Sequence, residues 1–295
     1  MNQGAPLRLA TRGSPQARTQ AESVLHALAG RGVHAELVIV ETTGDRRQDV
    51  PLHVIGGQGV FVKEIQTAVL DGRADVAVHS AKDLPSLAHP ELVIGAFTRR
   101  RDPADVLVGR RLDELAPGAT VASGSVRRRA QLAAVRPDLH FVELRGNIAR
   151  RLAQVPGEGA IVMAAAALQI LGLADRLAER LDPTVFVPAV GQGCVALEAA
   201  PGSSALEVLA SIDDLATRHA VEVERSFLAQ LGSGCSLPVG AHVHDGVLHA
   251  FLAATEAPPA GAPARVERAV ITLDGVDDMA IARATAARLL AATGA

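Results

Sequence analysis

Five short segments of this chain hold side chains able to bind or move charge, each where one local structure gives way to another. Thr11-Arg12-Gly13-Ser14-Pro15 follows the alternating strand Leu7-Arg8-Leu9-Ala10 and opens a helix. The carboxyl end of a strand facing a helix N-terminus offers unpaired N–H groups and a favourable dipole to an anion. Arg12 and Ser14 stand there; the competing reading is that Ser14 only caps the helix. His79-Ser80-Ala81-Lys82-Asp83-Leu84-Pro85 lies just past another strand, where adjacent Lys82 and Asp83 can hold an anion beside a proton-transferring carboxylate. Read alone, it is also a turn in which Asp83 bonds its own backbone ahead of a proline.

Ser123-Gly124-Ser125-Val126-Arg127-Arg128-Arg129 and Leu144-Arg145-Gly146-Asn147-Ile148-Ala149-Arg150-Arg151 repeat the design at two further strand ends. Small hydroxyl residues and glycine leading into a basic helix start can cradle carboxylates or phosphates. Three arginines at a helix N-terminus oppose its macrodipole, and an external anion would relieve that conflict. The alternative is a solvated helix face. Finally, Gly232-Ser233-Gly234-Cys235-Ser236 places a thiol on a loop that a bulky group can approach, suited to covalent chemistry. Cys194, in an apolar stretch, reads instead as a buried structural residue. Two thiols without a Cys-x-x-Cys pair make no structural zinc site, and no metal is expected.

The elements that must position these groups follow an alternating grammar. Strands are expected at Glu36 to Val40, Asp75 to His79 and Leu92 to Phe97, with helices from Ser14 and over Val60 to Leu70. The glycine-bearing stretch 44–59 reads as a loop. From Arg99 the pattern resumes, with strands at 105–108, 120–122, 140–144 and 160–164 and helices after Ser125, after Asn147 and over 165–171. Such alternation implies βαβ units and a largely parallel sheet. Pro183 and Pro188 bracket an extended crossover into Gly191-Gln192-Gly193, and Val195 to Glu198 can return to the first sheet. From Asp213 a long helix, three strands and a closing helix suggest a small α+β domain. The boundaries are 1–96 with 194–211 for domain 1, 99–190 for domain 2 and 213–295 for domain 3.

Composition narrows the function. The chain has 29 Lys+Arg, of which only Lys63 and Lys82 are lysine, and a net charge of −3. Between Arg99 and Arg151 twelve arginines face six acids, so an anionic ligand is expected there. Six Phe with no Trp or Tyr argue against base-stacking platforms, and nucleic acid is not an expected partner. No run of eighteen apolar residues spans a membrane, the start lacks a signal-peptide layout, and two cysteines make no disulfide framework. The expectation is a cytoplasmic protein, read as a monomer.

Together LATRGSPQA, GGQGVFVKEI, ADVAVHSAKDLP, RRDPADVLV, SGSVRRRAQL, LRGNIARRL, PAVGQG and GSGCSLPVG resemble, in order, the hydroxymethylbilane synthase (porphobilinogen deaminase) family. The resemblance implies two periplasmic-binding-protein-like α/β lobes with a ligand cleft between them, plus the small C-terminal α+β domain. It implies a dipyrromethane cofactor attached through Cys235, on which four porphobilinogen molecules are deaminated and condensed before hydrolysis releases hydroxymethylbilane. Asp83 maps to the catalytic acid. Arg12, Ser14, Ser80, Lys82, Ser125, Arg127, Arg128, Arg145 and Arg151 map to groups holding the acetates and propionates of porphobilinogen and the growing chain. Departures are Gln58 where a lysine is usual, Ile170 where an arginine is common, and Ala149-Arg150 for a Gly-Thr-like pair. The alternatives are a non-catalytic, two-lobed carboxylate-binding protein, which leaves Cys235 without a task, and a degenerate family member, against which the presence of both Asp83 and Cys235 argues.

Overall fold

The computed structural model describes residues 5–42, 62–232, 237–254 and 265–294. The 44–59 loop, with Gln58, and Cys235 lie outside the described residues. Two compact units divide the chain, one from Met1–Arg101 with Cys194–His219, the other from Asp102–Gly193 with Ala220–Ala295.

In the first unit, β1 (Leu7–Arg12) leads into α1 (Pro15–Ala29), then β2 (Ala35–Val40), α2 (Lys63–Leu70), β3 (Val76–Ser80) and β4 (Val93–Phe97). Ser14 starts α1 as expected, with extended backbone and an Oγ that accepts from the Ala17 N–H, while Pro15 occupies the first turn. Helical crossovers force β1 to run parallel to β2 and β3. β10 (Val195–Ala199) returns from the second half of the chain and inserts antiparallel between β3 and β4, giving the order β2-β1-β3-β10-β4. One sheet face packs Leu9, Val76, Val78 and Leu197 against Val24 and Leu28 of α1 and Leu209 of the short α6 (Ala205–Ala210). The other packs Ala10, Val40 and Ala77 against Ile65, Ala68 and Val69 of α2. Burial on both faces explains why these strands read as continuous apolar runs.

The second unit repeats the plan. Its elements are β5 (Asp105–Gly109), β6 (Thr120–Ala122), α3 (Val126–Val135), β7 (His140–Val142), α4 (Ile148–Leu152), β8 (Ala160–Ala164), α5 (Ala165–Gln169) and β9 (Glu179–Arg180). β6 is parallel to β7 and β8, and β5 lies antiparallel between β8 and β9, in the order β7-β6-β8-β5-β9. Each five-stranded sheet is thus four mutually parallel strands with one antiparallel strand inserted next to the last.

Beside this sheet, β11 (Val239–His244), β12 (Val247–Ala253) and β13 (Val266–Thr272) form an antiparallel sheet. Val223 and Phe227 of α7 (Leu215–Gln230) and Ala282 and Leu289 of α8 (Asp278–Thr293) cover one face. On the other face Phe251 and Ala253 meet Val187. Gly240 permits that approach, because a Cβ there would come within 2.7 Å of the Val187 carbonyl oxygen.

Several boundaries differ from the sequence reading. β7 ends at Val142 rather than 144, because β6, its partner, ends at Ala122 where the Ser-Gly-Ser loop begins. α5 stops at Gln169 rather than 171, and Gly172 at φ 67° turns the chain there. The two-residue β9 and six-residue α6 were not anticipated, being too short for periodicity to register.

Candidate active site

In the first unit, parallel pairing puts the carboxyl ends of β1 and β3 at one sheet edge. Arg12 ends β1, Ser14 caps α1, and Ser80 ends β3. The single turn Ala81–Asp83 follows directly. Ala81 and Leu84 are buried, whereas Lys82 and Asp83 between them are half-buried. The Ala81 N–H donates to the Cys194 carbonyl at 3.0 Å and the Leu84 N–H to the Ala81 carbonyl at 3.3 Å. Two buried neighbours thus pin the turn and leave the intervening cation and acid only half-buried. Ser80 Oγ donates to Gln20 Oε1 at 3.0 Å, joining the strand end to α1. Capping uses a lone pair of Ser14, so its O–H is still a donor for an anion. Cys194 is buried, as expected.

In the second unit, the ends of β6 and β7 likewise share an edge. Ser125 caps α3 and accepts from the Arg128 N–H, and Asn147 caps α4. Gly124 lets the two loops touch: a Cβ there would meet the Leu144 carbonyl oxygen at 2.7 Å. Gly146 adopts φ 103°, a conformation that favours glycine. Arg145 and Arg151 are half-buried beside it, and Arg151 Nε donates to the Gly146 carbonyl at 2.7 Å.

The three arginines of α3 are satisfied from within the fold, which corrects the expectation that an external anion relieves their conflict with the helix dipole. Arg127 and Arg128, 5% and 7% exposed, converge on Asp105, which is 0% exposed. Arg127 Nη1 donates to Asp105 Oδ2 at 2.6 Å and to the Val187 carbonyl at 2.7 Å. Arg128 donates through Nε to Asp105 Oδ1 at 2.9 Å and through Nη1 to the Val162 carbonyl at 3.1 Å; its Nη2 lies 2.7 Å from the same Oδ1. Arg129 pairs with Glu143 and donates to the Ser123 carbonyl. Burial pushes the Asp105 carboxyl up, but the charges of Arg127 and Arg128 outweigh it and hold it well below the usual carboxylate range. Two guanidiniums around one carboxylate leave this buried cluster with an excess positive charge.

Residues that sequence reasoning missed complete the cluster. Gln192 Nε2 donates to Asp105 Oδ1 at 3.0 Å and to the Pro103 carbonyl at 2.7 Å. Gln131 clamps Val187, accepting from its N–H and donating to its carbonyl. Buried Glu224 accepts from the N–H groups of Gly191 and Val243, each at 2.8 Å. An acid opening an otherwise apolar strand (Asp105) and a glutamine between two glycines (Gln192) were the available signals. Among the described residues, no group of three or more His, Cys, Asp or Glu side chains could hold a metal ion, and no helix is long and apolar enough to cross a membrane.

In each unit of this mixed α/β protein, cationic and hydroxyl side chains thus stand at or just past the carboxyl ends of strands, joined in the first unit by the acid Asp83. Residues 7–207 match the family model described as porphobilinogen deaminase, dipyromethane cofactor binding domain. The chain is 49% identical over 245 residues to a porphobilinogen deaminase of Acidothermus cellulolyticus, covering 80% of this chain and 74% of the relative. It is 46% identical to one of Nitratidesulfovibrio vulgaris, covering 80% and 77%. Among solved structures, the Bordetella pertussis BvgS VFT2 domain aligns over 70% of this chain and 85% of its own at 20% identity and TM-score 0.41. The chain belongs to the porphobilinogen deaminase family.

The matched domain is the family's cofactor-binding one, so dipyrromethane is the cofactor. Taken unit by unit, the residue types fit a group bearing several carboxylates: Arg12 ends one strand of the first unit and Lys82 follows another, and Arg145 and Arg151 follow a strand of the second.

Proposed function

We propose that the strand-end groups of this chain divide the work of hydroxymethylbilane synthesis, with Asp83 as the acid that serves the reacting centre. Family membership carries the activity, that of a transferase which deaminates and condenses porphobilinogen into a linear tetrapyrrole. The observation that carries the residue assignment is the Ala81–Asp83 turn, where half-buried Lys82 and Asp83 lie between the buried Ala81 and Leu84 just past the end of β3.

When bound, dipyrromethane supplies the free pyrrole α-position to which porphobilinogen is joined. Cys235 is the proposed attachment point. The amino nitrogen of porphobilinogen's aminomethyl arm leaves as ammonia, while the methylene carbon stays on the ring and positive charge spreads over that methylene and the pyrrole. A carboxylate held at that ring lowers the energy of the cation and takes up the proton released when the new carbon–carbon bond forms. Asp83 Oδ atoms perform both tasks. Lys82, a compact charge, and Arg12 hold the substrate's acetate and propionate, with Ser14 and Ser80 completing that edge. Arg145 and Arg151, with Ser125, hold carboxylates of the growing chain in bidentate geometry. Arg127 and Arg128 act through the field of the Asp105 cluster, since the nitrogens of Arg128 are already engaged.

The chain is further read as a cytoplasmic monomer without a nucleic-acid partner. This reading rests on two cysteines, a net charge of −3 and the absence of Trp and Tyr. Intact mass spectrometry of the purified protein tests the assignment. A dipyrromethane-sized excess over the sequence mass is expected, lost in Cys235→Ala. A wild-type protein at bare sequence mass that consumes no porphobilinogen overturns it.

A further inference from the structure

Behind the turn that carries Lys82 and Asp83, an apolar face of the first sheet contains three polar side chains. His79 on β3 and Glu198 on β10 have side chains only 2% and 3% exposed. Ala196 lies opposite His79 and Glu198 opposite Ala77, so the two residues are diagonal neighbours on one face. His79 Nε2 sits 3.1 Å from Glu198 Oε2, a close polar contact rather than an aligned hydrogen bond. Gln66 of α2 donates to the same oxygen at 2.8 Å. Around them the face is built from Ala10, Ile65, Ala68, Ala77 and Leu92.

A carboxylate and an imidazole in such surroundings are costly unless they hold each other, and apolar residues of the same volume would pack as well. What the polar pair adds is direction. An aliphatic contact tolerates sliding and rotation, whereas a buried carboxylate oxygen that accepts from Gln66 and lies against the His79 ring has far fewer placements open to it. The site of that constraint is informative. His79 directly precedes Ser80, and the next residue, Ala81, is bonded through its N–H to Cys194 at the start of β10. The inserted strand therefore grips the end of β3 twice, once through backbone and once through Glu198. In the second sheet the inserted strand also carries a buried acid, Asp105, and there too it holds basic groups in place.

We propose that Glu198, acting through His79, is a positioning residue that sets the end of β3 and with it the orientation of the Lys82–Asp83 turn. This rests on Asp83 serving the reaction as proposed above. The pair places the acid and, with it, Lys82, so its loss appears chiefly in kcat, with a smaller rise in KM from the displaced cation. A displacement of about 1 Å at a reacting group can cost on the order of a hundredfold in rate.

The test uses full-length protein, with dipyrromethane loading verified by intact mass for every variant. Glu198→Gln and His79→Leu are each expected to lower kcat about tenfold or more, with any rise in KM smaller than the fall in kcat. Because one residue acts through the other, the double variant is expected to be no slower than the slower single variant. Amide exchange at 80–84 is expected to quicken in Glu198→Gln, a readout independent of turnover. Should Glu198→Gln fail to fold, Glu198→Asp serves, with a smaller loss of the same kind. Single variants at parental kcat, losses that multiply in the double variant, or a loss confined to KM overturn the proposal. Asp83→Asn at parental turnover would instead remove the reading of Asp83, which separates the two failures.

Discussion

Asp105 Oδ2 and Arg127 Nη1 lie 2.6 Å apart in the interior of the second unit, the acid entirely buried and the arginine nearly so. The acid opens a strand inserted from an earlier part of the chain, and the cation begins a helix after the next strand of the sheet. Their contact turns what reads in sequence as an exposed basic helix start into part of the core.

Asp105→Asn tests that contact. Removing the only carboxylate between two buried guanidiniums leaves charge uncompensated, and breaking one partner of a buried pair typically costs about 3–5 kcal/mol. Urea unfolding should show a loss of that order. A variant as stable as the parent would mean that water or Gln192 already satisfies the arginines. The same pair sets an acid limit. The Asp105 carboxyl is held below its ordinary value, so its contribution is fully present above about pH 4, the unfolded value, and is lost as pH falls through the folded value.

Arg128 and Arg145 should part company on substitution. Arg128→Ala strips hydrogen bonds from Asp105 and Val162 and should lower thermal stability markedly. Arg145, half-buried at a strand end, should give Arg145→Ala a near-parental melting temperature but slowed or stalled elongation. Elongation intermediates resolved by mass would reveal the stall, and unaffected elongation in Arg145→Ala would remove it from the carboxylate-binding set.

Asp83→Asn should keep its dipyrromethane and its fold yet turn over porphobilinogen about 10²- to 10⁴-fold more slowly, the range for a lost acid–base group. The substitution preserves size and leaves the buried flanks Ala81 and Leu84 untouched. A loss of cofactor rather than of rate would place Asp83 in binding.

His249 predicts a pH dependence at the neutral end. It faces His242 across β11 and β12, and burial, with the nearby charges of His242 and His244, lowers its pKa from 6.5, against the opposing pull of Thr184 and Asp182. A histidine depressed in the folded state contributes fully above its unfolded value and loses that contribution as pH falls through the folded one. The melting temperature should therefore drop between about pH 7 and 5, and His249→Gln should flatten that slope. Parallel slopes for parent and variant would show that another group titrates.

Much of this was legible from residues alone, and the reason is locality. The Ser14, Ser125 and Asn147 caps each act within three residues, so spacing suffices to find them. Alternation of strand and helix placed most strands within a residue or two, and even the return of 195–198 to the first sheet could be read. The antiparallel insertion of β5 could not, since a strand's own sequence says little about the direction of its neighbours.

The sequence by itself determined which residue types stand at the strand ends and, through eight ordered motifs, the family to which they belong. Only the tertiary structure decided which of those cations are spent internally. Arg127 meets Asp105 across 22 positions, and Gln66 meets Glu198 across 132. Whether a charge turns outward to a ligand or inward to a partner depends on which strand is inserted beside it. That is fixed by packing over the whole sheet rather than by any local pattern.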